Sequence, residues 1–169
     1  MENTEVNPVS DRLFRHMAWA NSQTFSKLSG IPSDAYKLSL PNDDWSVSAI
    51  VQHLVGAAGR YASRLDGEAY LGDLSLPTSA KEISHLAELC VTFDARLRLA
   101  ATLPEEDTVR ESGGKFIHRA RSTILGQAIH HATEHRAQIA SILTMHGVHG
   151  LDLDELDLWA YGDAEGLGS

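Results

Sequence analysis

The chain of 169 residues carries 14 lysines and arginines against 23 aspartates and glutamates, which gives a formal net charge of −9 at pH 7. Its length fits one compact domain, residues 1–169, whose core needs no disulfide or structural metal for folding. A negative surface repels phosphate backbones and anionic lipid, so neither nucleic acid nor a membrane is expected as a partner.

The one cysteine and the absence of export signals indicate the compartment. Cys90 cannot form an internal disulfide, and its place on an apolar helical stripe suits core packing in a reducing environment. No segment has the basic start and apolar run of a signal peptide, and no apolar stretch approaches the roughly 20 residues that cross a bilayer. We therefore expect a soluble, cytoplasmic protein.

Apolar residues repeat at helical spacing in four long windows, which predicts an all-α protein. Ser46 is expected to cap the second helix, and Ser79 with Glu82 to form a capping box at the third. Each amphipathic helix must bury one stripe, so the simplest arrangement is a four-helix bundle. The predicted helices span about residues 8–29, 46–66, 79–103 and 122–146.

Two segments outside these helices have a different character. Residues 107–119 resemble two short strands around Gly113-Gly114, which predicts a hairpin-like linker before the last long helix. Residues 151–161 carry leucines spaced for a short helix against the bundle. The sequence after them is rich in glycine and acidic residues, and we do not expect it to be ordered.

Three histidines are the candidates for chemistry. His131 and His135 are four residues apart, so they lie one above the other on the same helix face. His53 lies on the inward stripe of the second helix. Three imidazoles suit zinc, nickel, iron or copper, and three protein ligands leave a position open for water or substrate, as in catalytic sites.

Other interpretations of these histidines stay open. Three core histidines can instead donate to backbone carbonyls or to glutamates, without any metal. The string His131-Ala132-Thr133-Glu134-His135 also matches the H-x-x-E-H order of inverted zincin proteases, in which Glu134 would activate water. Glu134 fits a solvated flank better, and His130 should face outward. A surface or helix-end role is the default for the other histidines, His16, His85, His118, His146 and His149.

Four segments of the chain match a known sequence pattern: LFRHMAWAN at residues 13–21, DWSVSAIVQHL at 44–54, HATEHRAQI at 131–139 and the closing segment around 152–161. Together they resemble the DinB/YfiT-like family. The resemblance implies a four-helix bundle and places the metal ligands of the family at His53, His131 and His135. The family often has glycine after the H-R pair, where this chain has Ala137.

The resemblance also bears on the neighbours of these ligands and on function. Arg136 and Gln138 are interpreted as packing or ligand-supporting residues, Trp19 as packing, and Asn21 as a hydrogen-bonding or capping residue.

Members of the family resemble metal-dependent hydrolases or thiol S-transferases. We therefore expect an enzyme that binds zinc or nickel, with iron as a further option, and activates water or a low-molecular-weight thiol toward a small-molecule substrate. The alternative is a non-catalytic stress-response protein that binds a metal or small ligand. A homodimer is expected.

Overall fold

The computed structural model describes residues 7–41, 44–70 and 72–167, and within them the chain is mostly helical. The four predicted helices are confirmed within three residues at each end. The long helices are α1 (Pro8–Ser29), α2 (Val47–Asp66), α3 (Ala80–Ala100) and α4 (Arg121–Met145). The remaining elements are strands β1 (Asp107–Ser112) and β2 (Lys115–Ala120), the short helix α5 (Leu158–Ala164) and the 3-10 turns Ser33–Lys37 and Asp154–Leu156.

The helices begin where polar side chains accept hydrogen bonds from the free backbone N–H groups of the first turn. The Ser46 hydroxyl accepts from the Ala49 amide at the start of α2, as predicted. Ser79 accepts from the Glu82 amide at the start of α3, while the Glu82 carboxylate reaches back to the Thr78 amide. This arrangement confirms the predicted cap, although the carboxylate bonds one residue earlier than in the standard capping box.

Contacts between helix ends fix the direction of each helix. Arg98 at the end of α3 pairs with Asp11 at the start of α1, so these two helices are antiparallel. Arg96 of α3 pairs with Asp66 at the end of α2, so α2 and α3 run parallel. The chain between them returns along α2, where Ser48 donates to the Pro77 carbonyl. The last helix, α4, runs antiparallel to α2.

Buried side chains of the four long helices form one apolar cluster. The apolar stripe predicted around Cys90 is confirmed on α3, where its members are all buried: Ile83, Leu86, Cys90, Phe93, Leu97 and Ala100. The helical pattern also places Leu13, Tyr61 and Ile129 on inward faces, but these three side chains are only half-buried. Phe14 takes the inner position of the first turns, because α1 is rotated so that Leu13 lines a groove beside α4.

The hairpin before α4 is also confirmed. Strands β1 and β2 pair antiparallel, with Ser112 opposite Lys115 across a two-residue turn. Both turn residues, Gly113 and Gly114, have positive φ angles of 58° and 74°, which only glycine adopts at low cost in this type of turn. Arg64 of α2 donates to the Thr108 hydroxyl of β1 and fixes the hairpin against the helix.

The C-terminal segment is more ordered than the sequence indicated. The helix α5 extends to Ala164, and the next residue, Glu165, forms ion pairs with Arg12 and Arg15 of α1. These contacts explain the difference, because acidic residues that lack local support are here ordered by cations of another helix. None of the described helices is long and apolar enough to cross a membrane.

Candidate metal centre

Helices α2 and α4 bring the three predicted histidines together. The Nε2 atom of His131 lies 3.0 Å from the Nε2 atom of His53 and 3.0 Å from that of His135. One ring nitrogen from each residue lies within 4.8 Å of the other two. Among the described residues, no cysteine or carboxylate joins this group of possible ligands.

The donor set fits a divalent metal. Zinc lies about 2.0–2.1 Å from histidine nitrogens, so tetrahedral ligands are separated by about 3.3 Å, close to the Nε2 distances around His131. The Gln138 side-chain oxygen lies 2.6 Å from His135 Nδ1 and accepts a hydrogen bond from its N–H group. The Nε2 lone pair of His135 then faces the other two rings. The Nε2 atoms of His53 and His131 meet it there, at a position where one cation could be held by all three rings.

The surroundings keep the imidazoles of His53 and His131 uncharged. Burial, followed by the charges of His135, His53 and Arg60, lowers the pKa of His131 to about 4. Burial, His135 and Arg60 lower the pKa of His53 in the same way. Neutral imidazole is the form that binds metals, so at neutral pH both rings are already in that form.

Aromatic side chains form the walls of the site. The Trp45 ring lies 4.8 Å from the His53 ring and stacks at 5.9 Å on the His135 ring, between centroids. Tyr61 meets His131 edge to face at 5.7 Å. Trp45 is 41% exposed. Together with His135 and Gln138 it lines a recess of about 300 Å³, which could admit a small molecule to the histidines.

A buried hydrogen-bond network lies behind the histidines. Asn21 accepts from the Arg136 guanidinium at 2.7 Å and donates to the Asp94 carboxylate at 2.9 Å. Burial raises the pKa of Asp94 to about 6. Burial also raises the pKa of the neighbouring Cys90 thiol, so this cysteine is protonated and packs in the core as predicted. Asp94 and His131 both line a cavity of about 10 Å³, the room that one water needs.

The other candidates lie outside the centre. Glu134 is exposed, as its predicted flank position requires, and the structure does not bring it among the three ring nitrogens. His130 is exposed on the outer face of α4. The default surface role is wrong for His16, which is half-buried with a ring nitrogen 2.7 Å from the Leu156 carbonyl. The remaining histidines, His85, His118, His146 and His149, are exposed.

Two residues close to the centre were missed in the sequence analysis. Asp94 follows Cys90 by four positions and so falls on the inner stripe of α3, but an aspartate is normally assigned to the surface. Trp45 lay in the DWSVSAIVQHL segment, but no role was assigned to it. Sequence spacing gave no signal for its contact with His53, because Trp45 precedes the first residue of α2 and eight helical residues span about 12 Å.

Comparison with known proteins agrees with this arrangement. The model of the DinB family matches residues 1–162. Protein DinB of Bacillus subtilis (strain 168) is 23% identical over 146 residues, which cover 80% of this chain and 85% of that protein. The family model includes the helices that carry all three histidines, and its match confirms the resemblance found in the sequence. The chain belongs to the DinB family.

Proposed function

We propose that this protein is a metal-dependent enzyme, built as a single four-helix bundle, in which His53, His131 and His135 hold one divalent ion. The convergence of the three Nε2 atoms carries the proposal. Imidazole nitrogens favour zinc or nickel, with iron as a further option. A metal held there would act as a Lewis acid that makes a coordinated water or thiol acidic near neutral pH.

The protein side chains have separate tasks in this proposal. Gln138 holds the proton on His135 Nδ1 and so keeps Nε2 available for the ion. Trp45 and Tyr61 shield the rings from bulk water and limit the size of the substrate. Cys90 is buried and does not join the three ring nitrogens, which favours a nucleophile that comes from water or a low-molecular-weight thiol.

Two features favour an enzyme over a binding protein. The described residues supply three ligands and no fourth, so one position is left for an exchangeable molecule. The recess beside His135 and Gln138 gives a small molecule a route to that position. The inverted zincin alternative receives no support, because Glu134 is exposed and no described carboxylate lies among the ligand nitrogens.

The direct test is metal content by elemental analysis of untagged protein purified without chelators, for wild type and His131→Ala. We expect about one ion per wild-type chain, because one set of three ligands is present, and a loss of this ion in the variant. The loaded protein would then be screened for thiol transfer and for hydrolysis. Wild-type protein that takes up neither zinc nor nickel would overturn the proposal.

A further inference from the structure

Next to the three histidines, α2 carries a second set of residues on the same face. His53, Gly56 and Arg60 follow one another at steps of three and four, so they form one stripe. Helical side chains tilt toward the N-terminus, which directs Arg60 back toward Gly56 and His53. The positive charge of Arg60 accordingly acts on the centre. Burial is the largest cause of the lowered pKa values of His53 and His131, the charges of the other histidines come next, and the charge of Arg60 adds to them.

Gly56 provides the space for two polar groups. A Cβ atom at this position would lie 3.2 Å from Arg60 Nη1 and 3.2 Å from the Tyr70 hydroxyl oxygen. Gly59 has a related role, since a Cβ there would lie 2.9 Å from ring atoms of Tyr70 and Phe93. The two glycines thus let Tyr70 lie close against α2 and leave its hydroxyl beside the Arg60 guanidinium. Gly56 is one helical turn from His53, and Gly59 lies six residues from it.

The guanidinium has no anionic partner within the ranges 7–41, 44–70 and 72–167. No carboxylate in them lies within ion-pair distance of Arg60, whereas Arg96 and Arg121 each pair with a carboxylate. Arg60 is exposed and contacts the Tyr70 ring at 5.9 Å from its centroid. Beyond this contact the guanidinium makes no hydrogen bond to the described residues, so its N–H groups remain available to a ligand.

We propose that Arg60 and the Tyr70 hydroxyl form a subsite for a carboxylate of the substrate, whose reacting end lies at the three histidines. This inference rests on the proposed metal centre. The planar fork of arginine matches the two oxygens of a carboxylate, and a phenol adds one further donor. In a chain of net charge −9, one unpaired cation beside the centre also gives anions a local site of attraction. The substrate class is therefore a small carboxylic acid.

The test uses cobalt-loaded protein with measured cobalt content and two thiols of equal chain length. One is 3-mercaptopropionate, which carries a carboxylate, and the other is the neutral 3-mercapto-1-propanol. Thiolate-to-cobalt charge-transfer absorption gives a Kd for each thiol. The measured quantity is the preference, the Kd of the neutral thiol divided by the Kd of the charged one. The ion itself attracts carboxylates, so only the change of this preference between variants tests the subsite.

We expect Arg60→Gln to lower the preference about tenfold, the size of one charge-assisted hydrogen bond. Tyr70→Phe, which keeps the ring and removes the hydroxyl, should lower it less. Lys115→Gln is the matched control, because it removes one positive charge from the exposed hairpin turn and should leave the preference unchanged. Arg60→Lys keeps the charge without the fork and should fall between wild type and Arg60→Gln.

The outcomes separate this inference from the proposed function. Arg60→Gln protein that holds one cobalt ion per chain and keeps the wild-type preference would overturn the carboxylate subsite and leave the metal centre intact. An equal loss in Lys115→Gln would also overturn it, since the effect would then be one of general charge. Wild-type protein that takes up no cobalt would overturn the metal centre and the subsite together.

Discussion

The Nε2 atoms of His53 and His131 lie 3.0 Å apart although 78 positions of sequence separate these residues. The contact joins α2 to α4 in the interior, where His135 lies 3.0 Å from the same His131 nitrogen. His131 is thus the central member of the group.

Removing any of the three rings should abolish metal binding without unfolding the protein. We expect His53→Ala, His131→Ala and His135→Ala each to weaken zinc affinity by more than about 100-fold. The apolar core does not depend on them, so the free energy of unfolding should fall by less than about 2 kcal/mol. Competition with a zinc chelator and thermal unfolding measure the two quantities. His149→Ala, on an exposed residue, should change neither. Loss of folding in all three variants would instead indicate a structural ion.

Gln138 should matter through His135 alone. Its oxygen lies 2.6 Å from His135 Nδ1, and Gln138→Ala removes this acceptor while the ligand stays in place. Loss of such a supporting contact typically weakens metal affinity about 10- to 100-fold. Gln138→Glu retains an acceptor and should preserve affinity. Equal zinc affinities in wild type and Gln138→Ala would show that the contact does not orient the ring.

Trp45 should report metal binding by its fluorescence. Its ring lies 4.8 Å from the His53 ring, so a paramagnetic ion such as cobalt or copper bound there should quench the indole. We expect Trp45→Phe to lose most of the quenching seen when wild-type protein is titrated with cobalt. Trp159→Phe is the matched control, because Trp159 is 84% exposed on α5. Quenching that persists in Trp45→Phe would place the ion elsewhere.

Asp94 should make stability depend on pH. Burial raises its pKa in the folded state from 3.8 to about 6, so the folded protein binds this proton more tightly than the unfolded chain. The resulting stabilisation is complete below about pH 3.8 and is lost as the pH rises through about 6, which amounts to about 3 kcal/mol. Urea unfolding of wild type and Asp94→Asn at several pH values gives the difference in free energy of unfolding. Between pH 4 and 6 the wild type should lose stability relative to Asp94→Asn, because only the wild type carries the titrating carboxyl. A difference that stays constant with pH would contradict the shifted pKa.

The glycines of α2 and α4 should respond in opposite directions to alanine. A Cβ at Gly59 would lie 2.9 Å from ring atoms of Phe93 and Tyr70, so Gly59→Ala should destabilise the protein by about 1–3 kcal/mol. At Gly126 in α4 a Cβ would meet nothing within 4 Å. Gly126→Ala should therefore stabilise by about 0.5–1 kcal/mol, the usual gain in a helix interior. Denaturant unfolding compares the two variants, and equal effects would refute this packing of Tyr70 on α2.

Sequence alone determined the local structure and the common face of two of the three histidines. Helix ends followed from short-range signals, such as the Ser46 and Ser79 caps and the Gly113-Gly114 turn, because these depend on neighbouring residues only. The spacing of His131 and His135 likewise fixed their common face, since one helical turn is a property of the backbone. The order of the C-terminal segment was missed because Glu165 is held by arginines of another helix.

Only the tertiary structure decided which distant residues meet. Periodicity placed His53 inward, but the parallel course of α2 and α3 and the antiparallel course of α4 brought it to His131. Asp94 lay on a predicted inner stripe, yet its burial depends on Asn21 across the interface, which no local pattern reveals. Arg60 and Tyr70 lie over Gly56 because the irregular segment after α2 turns back along that helix. Contacts between such distant residues result from the packing of the whole chain. The spacing of residues within one helix does not encode that packing.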